Sequence, residues 1–181
     1  AAGLDLRAAG APVMAINTAF PTVRPDVWVG MDSPECYDAG LCSQPFLKFF
    51  GSKYAEQQWL GRPVKSFPAT HFLTTRRDRQ MDYAGNAMLP QRLGEQPEFV
   101  NSCWTIFTAL HVAAWLGARD IYLVGADFGG GADYHDGRQL EDHLARRNRQ
   151  AMAAQVQWLA QVRIKAEKYG RRVISTSEHS A

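Results

Sequence analysis

The chain has 181 residues, of which 46% are apolar and 21% charged, enough apolar material for one well-packed domain and too much for a disordered segment. A net charge of +2 excludes the concentrated basic excess of a nucleic-acid-binding domain. No apolar stretch reaches the ~20 residues of a membrane span, and the amino terminus lacks a basic-then-apolar leader, so residues 1–181 are expected to form a single cytoplasmic domain with no membrane span.

Two short apolar runs, residues 12–17 and 27–32, each end in a polar residue and read as buried strands. The segment between them carries Pro21 and Pro25 and allows no more than a turn. Residues 45–60 are rich in aromatics at helix-like spacing and predict a helix. Residues 64–75 favour β structure, broken by Pro68, and predict one or two weak strands. No period is visible over residues 76–97, which read as a long irregular excursion.

The second half is more regular. Asn101 and Ser102 can cap a helix whose apolar positions Cys103, Ile106, Phe107, Leu110 and Ala114 recur at i, i+3 and i+4, and Gly117 stands where a left-handed C-cap belongs. A strand over 121–125 follows, then Asp127 and a glycine-rich tract. A long helix over about 140–169 carries Met152, Val156, Leu159, Val162 and Ala166 on one stripe and stops at Gly170; residues 172–176 form its partner strand. Helix–strand alternation with short joints specifies an α/β fold with a mostly parallel sheet flanked by helices. The strands at 13–17, 27–31, 121–125 and 173–175 are expected in one sheet.

In open α/β sheets ligands bind outside the carboxyl ends of the strands, where loops diverge and helix amino termini point inward. That rule collects Asn17 and Thr18 after the first strand, Asp32 and Ser33 after the second, Asp127 after the third, and Asn101 with Ser102 at the helix start. His111 sits beside an apolar stripe and reads as a packed histidine. His135 lies in the glycine-rich loop beside Asp133, Tyr134 and Asp136, where an imidazole can be aimed at a ligand. Cys36, Cys42 and Cys103 form no metal-binding spacing and cannot all pair, which suits a reducing compartment. Asp32 and Asp127 alone do not define a metal site, and the metal content stays unknown.

The runs Pro-Val-Met-Ala-Ile-Asn-Thr-Ala, Pro-Asp-Val-Trp-Val-Gly-Met-Asp-Ser, Asn-Ser-Cys-Trp-Thr-Ile-Phe-Thr-Ala-Leu and Gly-Ala-Arg-Asp-Ile-Tyr-Leu-Val-Gly-Ala-Asp-Phe together resemble two related groups. One is the bacterial sialyltransferases with a Rossmann-like nucleotide domain. The other is the set of phage and capsule-locus proteins related to the hydroxymethylpterin diphosphokinases. The resemblance covers both ends of the chain and skips roughly residues 36–98. It implies a three-layer Rossmann-like domain that lacks the amino-terminal strand and Gly-rich loop of its relatives. It also implies nucleotide contacts at Asn17, Asp32 and Ser102, and a general base at His135.

The first functional reading is therefore a sialyltransferase-like glycosyltransferase whose small-molecule ligand is a nucleotide-activated sugar such as a CMP-sugar. The alternatives are a pterin-type diphosphokinase using ATP and Mg²⁺ between Asp32 and Asp127, and a non-catalytic, phage-associated nucleotide-binding or structural domain. The oligomeric state is not specified by these residues.

Overall fold

The computed structural model describes residues 6–76, 99–100, 104–126, 155–164 and 166–176. Strands β1 (Met14–Ile16), β2 (Val27–Gly30), β3 (Leu47–Gly51) and β6 (Thr70–Leu73) form a sheet in the order β1-β2-β3-β6, parallel at every pairing. Strands β4 (Gln58–Trp59) and β5 (Arg62–Pro63) make a small antiparallel hairpin. β7 (Thr75–Arg76) follows β6 after one residue and pairs in parallel with β8 (Phe99–Val100). Helix α1 (Thr105–Trp115) leads into β9 (Asp120–Leu123), and a second helix, α2 (residues 155–164 and 166–168), into β10 (Arg172–Ser175). β9 and β10 pair in parallel.

The fold is thus α/β with mostly parallel pairing. The expectation of one sheet needs correction: among the described residues, β9 and β10 form a sheet of their own, and no pairing joins it to β1. What joins the two is α1. Its Ala109 and Val112 pack on Val27, Val29, Phe49 and Leu73 of the first sheet. Its Phe107, Leu110 and Ala114 pack with Leu123, Val173 and the α2 residues Leu159, Val162 and Ala166. A helix apolar on two flanks is buried between two layers rather than lying on a surface.

Period-two alternation sorts the first sheet into two faces. Met14, Ile16, Val27, Val29 and Phe49 face α1. Ala15, Trp28 and Phe50 face an aromatic layer of Phe20, Tyr37, Trp59 and Phe67. That layer is built from 3-10 turns at Pro34–Cys36, Ala39–Ser43, Ser52–Tyr54 and Val64–Ser66 together with the β4–β5 hairpin. Rings meet edge-on, as between Trp28 and Tyr37 at 4.8 Å and Trp59 and Phe67 at 5.6 Å, the arrangement aromatic quadrupoles favour.

A second correction falls here. Residues 45–60 are not a helix but β3, a 3-10 turn and β4. Phe49 and Phe50 are both buried, on opposite faces, so the strand shows none of the polar alternation that would have marked it. Likewise Val64–Ser66 is a turn, and the strand over 64–75 is confined to β6 and β7. Gly117 and Gly170 end their helices with φ of 99° and 67°, as expected. No helix among the described residues is long and apolar enough to cross a membrane.

Candidate functional site

β1 and β2 are in parallel register, with Ile16 opposite Val29, so the residues that leave them emerge at one edge. Asn17 and Thr18 leave β1 and enter a 3-10 turn; Asp32 and Ser33 leave β2 one residue after Met31. The structure therefore brings these four expected residues to the same edge of adjacent strands. β7, paired with β8, continues β6 beyond that edge, and α1 begins five residues after β8. Asn101, Ser102, Asp127 and His135 lie outside the described residues. His111 is buried within α1, in keeping with a packed histidine.

Asn17 is held in an unusual conformation. Its φ is +47°, a region that non-glycine residues avoid and asparagine tolerates best. Trp28, fully buried beneath it, donates its indole N–H to the Asn17 carbonyl at 2.9 Å. The side-chain oxygen Oδ1 is buried and accepts no hydrogen bond among the described residues. An unpaired buried acceptor costs about 1–3 kcal/mol, so an N–H or O–H placed against it by a ligand has that much to recover.

The exit of β2 is fixed by polar bonds. The Asp32 backbone N–H donates to the Tyr37 hydroxyl at 2.8 Å, and burial pushes that phenol well above its ordinary value, keeping it protonated. The Ser33 hydroxyl donates to the Glu35 carboxylate. Gln57 reaches across from the β3 side with its amide, donating to Ser33 Oγ at 3.0 Å and to Glu35 at 2.6 Å. The Ser33 hydroxyl, the backbone and Gln57 hold the Glu35 carboxyl below its usual range. The Asp32 side chain itself is exposed. Gly30 sits under this exit because a Cβ there would strike the Trp28 ring and lie 2.7 Å from the Tyr37 hydroxyl.

Tyr37, Glu35 and Gln57 were not among the expected site residues. Glu35 lies two positions from Ser33 and could have been found as a local hydroxyl–carboxylate pair. Gln57 is 22 residues from its partner and carries no local signal.

The edge offers the exposed carboxylates of Asp32 and Glu35 as acceptors, with Asn17 Oδ1 buried behind them. It suits the hydroxyls or amines of a ligand better than its phosphates, which two carboxylates would repel. No group of three or more metal-binding side chains occurs among the described residues. A cavity of about 730 Å³ opens instead near the amino ends of β2 and β3, lined by Phe20, Pro21, Arg24, Pro25, Asp26, Gln44, Pro45 and Phe46. It presents rings and prolines and contains none of the expected site residues. No protein family, no curated protein and no solved structure matches this chain.

Proposed function

We propose that the chain is a cytoplasmic, three-layer Rossmann-like domain that binds the nucleoside part of a nucleotide-activated sugar at the carboxyl edge of β1 and β2, and that it acts as a glycosyltransferase of sialyltransferase type. The observation that carries this reading is the buried Oδ1 of Asn17, without a hydrogen-bond partner among the described residues, at an edge where ligands of α/β sheets bind. Asn17 accepts from an exocyclic amine or hydroxyl of the nucleoside. Asp32, exposed and anionic, accepts from ribose hydroxyls, with Thr18 and Ser33 beside them. Asn101, Ser102 and Asp127 complete the ligand shell, and His135 takes the proton from the acceptor hydroxyl, a contribution of ~10²–10⁴-fold.

Thermal unfolding with cytidine nucleotides, a CMP-sugar, and ATP with and without Mg²⁺ tests this. A ligand at ~100 times its dissociation constant stabilises the fold by about 2.7 kcal/mol. The cytidine compounds are expected to do so without Mg²⁺. Asn17→Gly, which removes the carboxamide but suits positive φ, should abolish most of the shift. Stabilisation by ATP only with Mg²⁺ would favour the diphosphokinase reading instead, and no shift with any nucleotide would leave a non-catalytic domain. Turnover retained in a His135→Ala protein would end that residue's role.

A further inference from the structure

The two helices end alike. After α1, Ala118 N–H donates to the Ala113 carbonyl at 3.0 Å and Gly117 N–H to Ala114 at 3.1 Å; after α2, Arg171 N–H donates to Ala166 at 3.0 Å and Gly170 N–H to Glu167 at 2.9 Å. Each is the bond pair of a Schellman turn closed by a glycine. The turns deliver Arg119 and Asp120 to the start of β9, and Arg171 and Arg172 to the start of β10. Between them opens a cavity of about 420 Å³, lined by these four residues with Glu167 and Gly170. Its volume lies within the ~300–1,000 Å³ of small-molecule sites.

Its charges do not close among themselves. Arg172 and Asp120 form a bidentate pair with both bonds at 2.7 Å. Neither Arg119 nor Glu167 has an ion pair among the described residues. Arg171 is only 8% exposed. Its Nη2 donates to the Ala114 carbonyl at 3.0 Å, while its Nε–H has no acceptor and no carboxylate pairs with it among the described residues. A buried guanidinium with an idle donor is a costly arrangement. The helix carbonyls that would repel an anion at this end are engaged by the Schellman N–H groups and by Arg171 itself.

We propose that this cavity is an anion site, taking a phosphate-type oxyanion, free or carried on a small molecule, against the exposed guanidinium of Arg119, with the incompletely paired guanidinium of Arg171 in its wall. It stands apart from the carboxyl-edge site and does not depend on that reading. The test is thermal unfolding of the 181-residue chain in inorganic phosphate and in glucose 6-phosphate, each against sodium chloride of equal ionic strength. Saturable stabilisation that chloride does not reproduce is expected, from phosphate alone if the ion is the ligand, and more strongly from the sugar phosphate if a phosphorylated molecule is. Arg119→Ala removes an exposed side chain and should weaken binding about tenfold, one charge-assisted hydrogen bond. Glu167→Gln should tighten it by removing a facing carboxylate, and Asn17→Gly should leave it unchanged. No saturable shift, or a shift indifferent to Arg119→Ala, would overturn the proposal and leave Arg171 as a cap on α1. So would loss of binding in the Asn17→Gly protein.

Discussion

The two sheets solve the same burial problem with different materials. The β9–β10 sheet is covered on one face by α1 and α2, whose aliphatic side chains pack together with the rings of Trp104, Phe107 and Trp158, while its other face carries Tyr122, 59% exposed. The β1-β2-β3-β6 sheet is covered on both faces, by α1 on one and by an aromatic layer of short turns on the other. Helical cover recurs at a fixed spacing along the chain; turn cover does not. Rings compensate, since each of Trp28, Phe50 and Trp59 buries enough area to replace several aliphatic contacts. The polar edge that forms the candidate site stands on the ring-packed half, where Trp28 and Tyr37 support Asn17 and Asp32 directly.

The sharpest way to break this comparison is to ask whether the halves unfold as one. Trp28→Ala in the aromatic half should cost about 3–5 kcal/mol, and Leu159→Ala in the helical half about 2–5 kcal/mol. Because α1 packs on both, each change should lower one common transition. Chemical denaturation followed by tryptophan fluorescence and by circular dichroism checks it. Two separated transitions, each sensitive to only one substitution, would show that α1 does not couple the sheets.

Smaller effects are expected under the β2 exit. Gly30→Ala forces a methyl against the Trp28 ring and the Tyr37 hydroxyl and should cost about 1–3 kcal/mol by overpacking. Tyr37→Phe keeps the ring packing and deletes only the acceptor for Asp32 N–H, a loss of about 1 kcal/mol. Denaturation midpoints report both. If Tyr37→Phe proves the costlier, polar bonds rather than rings hold this half together.

The same contrast explains what could be read from the chain. α1, α2, β9 and β10 were legible because apolar residues such as Phe107, Leu110 and Ala114 recur with the helical period and Gly117 and Gly170 mark the stops. β1 and β2 were legible as short apolar runs. β3 was not: Phe46, Phe49, Phe50 and Tyr54 mimic helical spacing, and a strand buried on both faces has no polar side to betray it. The division into two sheets was equally hidden, since pairing is a long-range choice. Of the site, Asn17, Thr18, Asp32 and Ser33 followed from their places at strand ends. The Gln57 amide that braces Ser33, and the idle Oδ1 of Asn17, exist only after the chain has folded.

The smallest expected effect separates two exposed carboxyls, one in each half. Hydrogen bonding from Arg172, reinforced by its charge, holds the Asp120 carboxyl below its ordinary value. Glu35 is held low by the Ser33 hydroxyl, by the backbone and by Gln57, all neutral donors. A folded-state value below the unfolded one means that each contributes stability above the ordinary carboxyl range, near pH ~4, and loses it as pH falls through the lower folded value. Below that point both groups are protonated in folded and unfolded chains alike. The two differ in their response to salt. Screening weakens a bond that depends on a guanidinium charge, so raising sodium chloride from ~0.1 M to ~1 M, where the Debye length falls from about 10 to 3 Å, should move the Asp120 titration back toward its ordinary value. Glu35, bonded to uncharged groups, should hardly move. Carboxyl carbon chemical shifts followed from acid to neutral pH at both salt concentrations measure each residue separately. Equal shifts at the two sites would mean that the Glu35 network also leans on a charge, and that the bracing of the β2 exit is electrostatic rather than a matter of matched neutral donors.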